Sequence, residues 1–518
     1  MQYHVPADDS TSTTAGGARR RPARLRWVAV PLVALAVLAA ACGGSDSSSG
    51  SDGSGGSGEG STTIEVNAAD CPTGALDSAT GPVTVKVWHA YAGLTKTTLE
   101  DLATKYNASQ SKVKVVVESQ GSYEELLKKY EDSVADPKNL PDIALTEDTT
   151  TQFMIDSGSV VPASACVAAD PASKATYDDI LPAVTAAYTV GDVLWPAAFS
   201  VSTPVLYVNK SIFNQAGVDT TTLPANLDEL RATAEKLKAA NIPGLQAPLV
   251  MKVDSWYLEH WLTGDTKAIV NENNGRNSLA TKSELVQPET TKIMEWLQGM
   301  VRDGLLKAIP STSSGVDEYL AINNKTSAML IQTSTAISTV AALLSGQVDE
   351  SALASEGVNA DVDQGLQIGF GPTPGIKAAG KGQIGGSGWY LVKGTDPARI
   401  AGSWDFLKFF LQPANQVTWT VQASYLPVLE SAAADPALQQ EFTSSLKGQG
   451  LSVAYNSLKS LDPNFPGPVI GPYNTFRNEV RGAMDNIMLS NAPIQPAIDK
   501  ANTNFQAALD GYVVDVGG

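Results

Sequence analysis

Histidine is almost missing from the chain: His4, His89 and His260 are the only three in 518 residues. A zinc centre or a histidine-based catalytic triad therefore has almost nothing to be assembled from, which sets aside metallohydrolases and leaves no metal site to name. Basic side chains are also short, 36 Lys and Arg against 54 Asp and Glu, for a formal charge of −18. Neutralising a phosphate backbone needs the opposite surplus, so a nucleic-acid partner is excluded. No stretch beyond residue 41 is apolar and long enough to cross a bilayer. What the chain does have is 43% hydrophobic and 17% charged residues. That composition supports large packed cores, roughly three domains by length, and rules out wholesale disorder.

The N-terminus reads as an export address. Arg19, Arg20, Arg21, Arg24 and Arg26 precede the apolar stretch Trp27 to Ala40. At roughly 14 residues it falls short of the ~20 a membrane-spanning helix needs. Leu38-Ala39-Ala40-Ala41-Cys42 resembles a bacterial lipoprotein box, which implies removal of residues 1–41, lipid on Cys42 and attachment to the outer face of the cell membrane. The alternative is an ordinary signal-peptidase site after A-x-A; the abrupt polar tract from Gly43 favours lipidation. Residues 42–63 are nearly all Gly, Ser, Asp and Glu, too polar to order, and form a tether with a reach of about 25 Å. With Cys42 assigned to lipid, Cys71 and Cys166 remain in an oxidising compartment and are expected to pair, the alternative being two buried free thiols.

The body alternates strand and helix signals. PVTVKVW (Pro82 to Trp88) places Val83, Val85 and Val87 on one face, and Leu99, Leu102 and Tyr106 follow at helical spacing. KVKVVVE (Lys112 to Glu118) reads as a second strand, after which Ser122 and Glu125 make a capping box. Pro141 to Leu145 is a third strand, delivering Glu147 and Asp148 into a turn, and this βαβαβ order predicts a parallel sheet. Asn226 and Glu229 cap a later helix, while Val205 to Val208, Ala328 to Ile331 and Trp389 to Val392 read as further strands. Trp404 to Leu411 and Arg477 to Met488 carry helical spacing, with Asn474 as a plausible N-cap that puts Arg477 in a first turn. About 430 residues of this pattern exceed one core, so two lobes are inferred. Ligands of open α/β sheets sit beyond the carboxyl ends of strands, and the polar clusters there contain no catalytic motif.

VKVWHAYAG (Val85 to Gly93), FSVSTPVLYVNKSIFNQAG (Phe199 to Gly217), IGGSGWYLV (Ile384 to Val392) and SYLPV (Ser424 to Val428) resemble, in this order along the chain, the family 1 extracellular solute-binding proteins of ABC importers, and among them the glycerol-3-phosphate-binding members most. The resemblance implies an α/β type II periplasmic-binding-protein fold, two discontinuous lobes around a ligand cleft. Lobe one would be residues 64–202 and 387–424, and lobe two 203–386 and 425–518. It implies no enzyme and no cofactor, but a monomeric receptor that captures glycerol-3-phosphate or a glycerophosphodiester and presents it to a membrane permease. The ligand-binding residues it implies are Tyr123, Glu147, Ser202, Thr333 or Ser334, Gly385, Gly386, Tyr425 and Arg477, with Trp256 and, less directly, Trp261 lining the cleft. Two other readings stay open: a receptor for a neutral sugar or oligosaccharide, in which Trp and Tyr dominate, and a secreted glycosidase, for which only the adjacent pair Glu147 and Asp148 stands out.

Overall fold

The computed structural model describes residues 66–313, 317–345, 366–394 and 396–517; the export leader, Cys42 and the Gly/Ser tether lie outside the described residues. Alternation in the first valine-rich stretch becomes β1 (Val83–His89), whose side chains alternate buried and exposed before ending in a buried run. It pairs in parallel with β2 (Val113–Ser119) and with β3 (Ile143–Glu147). Leu99, Leu102 and Tyr106 are buried on the helix Gly93–Ser109 that connects the first two. The Ser122–Glu125 capping box is formed at both ends and starts the helix Tyr123–Ser133.

Two sheets result, each flanked by helices. The first runs β2-β1-β3-β13-β4, with β4 at Val160–Val161 and β13 at Gly385–Val392; β7 (Ala198–Ser202) also pairs β13. A small hairpin of β5 (Thr189–Val190) and β6 (Val193–Leu194) stands apart. The second runs β10-β9-β11-β8-β12, from β10 (Leu306–Ile309), β9 (Leu249–Lys252) and β11 (Met329–Thr333) to β8 (Pro204–Asn209) and β12 (Ile368–Pro372). β9, β10 and β11 are parallel, while β8 runs antiparallel to β11 and β12. The chain thus leaves the first sheet at Ser202, enters the second at Pro204, and returns with β13. Segment 424–428 lies alongside: Leu426 N–H donates to Val201 O at 2.8 Å and Leu181 N–H to Val428 O at 2.9 Å.

One core fills the first lobe and continues through Val205 and Tyr207 toward the helices after residue 430; a second packs behind β9 and β11. Cys71 and Cys166 form a disulfide, Cα to Cα 5.0 Å, joining the segment before β1 to the helix Ala163–Ala169. Two local expectations change. Glu147 ends β3 rather than standing in the turn; Gly385 and Gly386 open β13. The helix read over Arg477 to Met488 spans Tyr473–Leu489 with Pro472 at its N-cap, so Asn474 caps nothing and Arg477 lies beyond the first turn.

Candidate functional site

Both sheets aim the carboxyl ends of their parallel strands at one gap. β13 and β8 are antiparallel to those strands, so their first residues arrive at the same level: Ser387 stands opposite Glu147, Gly385 opposite Ser202, and Pro204 opposite Thr333. The gap has a cavity volume of about 250 Å³. Tyr123, Glu147, Asp148, Ser202, Gly385 and Gly386 line it from the first sheet. Lys252, Asp254, Trp256, Tyr257, Gln332, Thr333, Thr335 and Arg477 line it from the second lobe, with Tyr425 between.

Nine of the residues singled out in the sequence therefore meet in one cleft: Tyr123, Glu147, Ser202, Trp256, Thr333, Gly385, Gly386, Tyr425 and Arg477. Ser334 does not. It is fully buried one residue further, donating its N–H to Thr203 O at 2.8 Å, so it ties the crossing strand instead of facing the gap. Trp261 is also core, its indole N–H given to Pro374 O at 2.9 Å. Trp256 alone turns outward, its indole N–H reaching Ile384 O at 3.3 Å.

Arg477 has partners the sequence did not reveal. Its Nε and Nη2 each donate at 3.0 Å to the two oxygens of Glu259, a carboxylate with no exposure, and Nη1 donates to Glu147 at 2.7 Å. Tyr473 and Gln383 add further hydrogen bonds to Glu259, both at 3.0 Å. Burial works against the charge on Arg477, but Glu259, Glu147 and Asp148 outweigh it and hold its pKa well above the usual value. Burial raises the Glu147 carboxyl in spite of Arg477, and pushes Asp148 up to about 8 with the help of Glu147 and Glu259. The guanidinium is thus met by carboxylates, and it stands beyond the first turn of its helix rather than in it. A signal for Glu259 did exist, a lone acid in the apolar helical run Ser255–Leu262. Asp254 was legible as an N-cap, and its side chain accepts the Trp256 N–H at 2.9 Å.

Hydroxyls and rings complete the wall. Tyr123 and Tyr425 hydroxyls stand 3.5 Å apart. Tyr425 stacks on Trp419 at 5.6 Å and 3°, and Tyr91 packs 5.7 Å away with its hydroxyl shared between Ser200 (2.8 Å) and Ser387 (2.6 Å). Such a cleft offers acceptors, hydroxyls, one guanidinium edge and aromatic faces. It has no nucleophile paired with a base, which suits capture of a polar solute.

A two-lobed frame around a polar cleft suits a solute receptor. Residues 101–443 match the family described as bacterial extracellular solute-binding protein, and the chain belongs to that family, the binding components of ABC importers. The sn-glycerol-3-phosphate-binding periplasmic protein UgpB of Pectobacterium atrosepticum is 24% identical over 456 residues, 85% of this chain and 95% of that protein. Its Escherichia coli K12 namesake is 24% identical over 436 residues, 82% and 92%. Among solved structures, the cyclic alpha-maltosyl-1,6-maltose binding protein from Arthrobacter globiformis matches with a TM-score of 0.64 at 19% identity, covering 83% of this chain and all 100% of that one. UgpB from Mycobacterium tuberculosis in complex with glycerophosphocholine matches with a TM-score of 0.61 at 17% identity, covering 84% and 100%.

Proposed function

We propose that the chain is held to the outer face of the cell membrane by lipid on Cys42 and that its cleft captures glycerol-3-phosphate or a glycerophosphodiester for an ABC permease. The observation that carries this reading is the Arg477–Glu147 contact of 2.7 Å. A planar N–H donor suited to phosphate oxygens from one lobe and a carboxylate that accepts from hydroxyls from the other meet in the cleft. A phosphate oxygen takes Nη1 in place of Glu147, and the released carboxylate accepts glycerol hydroxyls, with Ser202, Tyr123 and Tyr425 within the same wall. The lobes would be residues 64–202 with 387–424 and 203–386 with 425–518, hinged where the chain passes between sheets. Because each group contacts ligand from a different lobe, binding favours the arrangement in which they converge.

Charge favours the diester. The lining carries Glu147 and Asp254, with Asp148 ionising only near pH 8, against Lys252 and Arg477, and Glu259 stands behind the arginine. A second negative charge on the ligand is unwelcome there, while Trp256 and Tyr257 beside Asp254 suit an ammonium group such as choline. The same carboxylates and rings also favour a second reading, a neutral sugar bound without use of Arg477.

Isothermal titration separates the readings. Glycerophosphocholine is expected to release heat with no product formed, glycerol-3-phosphate to bind more weakly, maltose to be silent, and Glu147→Gln to weaken the diester about tenfold. Heat from maltose with none from either phosphate would sink the phosphate reading.

A further inference from the structure

Arg276 plays no part in the cleft, yet its surroundings are unusual. It follows three non-glycine residues in left-handed backbone, Glu272 (φ 56°), Asn273 (φ 52°) and Asn274 (φ 59°), a conformation L residues adopt at a steric cost. The turn is held from within by the Asn274 side chain, which accepts the N–H groups of Ile269 (2.7 Å) and Val270 (3.3 Å). It is held from outside by Val469 N–H, given to Asn274 O at 2.8 Å. Its effect is to send the Arg276 guanidinium out of the second lobe and onto the first. Nε donates to Gly467 O at 2.7 Å on its own side. Nη1 then donates to Ala186 O (2.9 Å) and Thr189 O (3.2 Å), and Nη2 to Ala187 O (3.2 Å).

Those last three carbonyls close the helix Pro182–Tyr188, whose final turn has no intrahelical donors left to satisfy it. Among the described residues no carboxylate pairs with Arg276. The cation is therefore held by carbonyls from two lobes, a contact that any change in lobe orientation must break. A second tie crosses nearby: Tyr512, packed against Gly471, donates its hydroxyl to Asp156 at 2.7 Å. The loop under Arg276 runs on through Gly471 into Tyr473 and Arg477, and Asp148 and Tyr473 line the small cavity that Arg276 closes.

We propose that Arg276 is a positioning residue for solute capture: its clasp on the carbonyl end of helix Pro182–Tyr188 holds the lobes in the arrangement that brings Glu147 to Arg477. Lobe closure is then set partly from outside the cleft. Removing the clasp lowers the fraction of closed protein and weakens apparent affinity by that fraction.

The test places spin labels on the full chain at Lys128→Cys and Lys292→Cys, exposed positions on the helices Tyr123–Ser133 and Pro288–Arg302. Pulsed dipolar spectroscopy then reads the interlobe distance without ligand. Arg276→Met is expected to add a second, longer distance population and to weaken glycerophosphocholine binding three- to tenfold, with Arg276→Lys between it and the wild type. An unchanged distance distribution in Arg276→Met overturns the proposal, including the case in which only the melting temperature falls, since that marks a merely structural arginine. The distance reading needs no ligand. Silence of glycerophosphocholine in the wild type therefore counts against the ligand assignment and leaves Arg276 to be decided by the distances.

Discussion

Arg477 has a planar fork of N–H donors that fits phosphate oxygens, and by its partners it is a structural cation. Replacing it with alanine strands Glu259, fully buried, without its counter-charge, and a broken buried pair of this kind costs about 3–5 kcal/mol. Arg477→Ala is accordingly expected to lower the urea midpoint as well as abolish binding, whereas Glu147→Gln, at the more exposed end of the network, is expected to lower it far less, because Arg477 keeps Glu259. Burial also holds His260 down to about 4, and burial followed by the charge of Lys96 holds His89 to about 4, against a usual value of 6.5. Between pH 4 and 6.5 the unfolded chain takes up protons that these rings refuse. Their contribution to stability therefore rises with pH across that window and is lost as pH falls through it. Asp148, raised to about 8 from 3.8, slopes the other way between those values, so the wild type alone does not isolate the histidines. His260→Gln is expected to show a smaller fall in urea midpoint from pH 6.5 to 4.5 than the wild type; an equal fall would show that His260 is not responsible. The cleft end of Arg477 was legible because a matching arginine occurs in the family's motif order. The Glu259 end was not, since the partners are 218 residues apart and only packing of two helices brings them together.

Strand and helix identities were legible wherever one local pattern was strong: valine alternation in β1, the Ser122–Glu125 box, the Asn226 cap whose side chain accepts from Glu229 N–H at 2.9 Å. Their bounds were missed where tertiary contact decides the outcome. The strand read over Trp389 to Val392 begins at Gly385, where the Trp256 ring and, at Gly386, the backbone of β7 come too close for a side chain. A Cβ on Gly386 (φ 120°) would stand 1.9 Å from Ser200 O, and one on Gly385 2.7 Å from the Trp256 ring and 3.2 Å from the Ser202 hydroxyl. The two glycines thus differ in consequence. Gly386→Ala clashes with backbone and is expected to yield little folded protein. Gly385→Ala meets side-chain atoms, so the chain is expected to fold, displace Trp256 into the cleft and bind ligand at least tenfold more weakly. Circular dichroism alongside calorimetry distinguishes these outcomes, and normal affinity in Gly385→Ala would remove Trp256 from the binding wall.

At the scale of the whole molecule, capture requires that the ligand favour one lobe arrangement strongly. A receptor without an interlobe clasp, starting from an open-to-closed ratio of 99:1, would need about 5.5 kcal/mol of differential binding to reach 1:99, and the clasp proposed at Arg276 would lower what the ligand has to supply. Such a hinge works only if each lobe stays rigid, and in the first lobe the disulfide fastens the segment ahead of β1 to helix Ala163–Ala169 across a separation of 95 residues. Closing a loop of that length is worth up to about 4.7 kcal/mol by chain entropy, so reduction is expected to lower the melting temperature by several degrees. The fold's two-lobed plan was readable from strand and helix order with the family resemblance, but the contacts between lobes were not, because no periodicity encodes them. Delivery to a permease adds a last requirement, since a receptor free to diffuse from a cell surface is lost to the medium. The tether proposed to end in lipid on Cys42, with a reach of about 25 Å, would meet it, keeping a body of strongly acidic sequence near anionic lipid without adhering to it. Cys42→Ser is therefore expected to abolish incorporation of labelled palmitate and release the protein into the medium or leave it unprocessed, while the heat of glycerophosphocholine binding stays that of the wild type. Continued palmitate incorporation in that variant would place the anchor elsewhere.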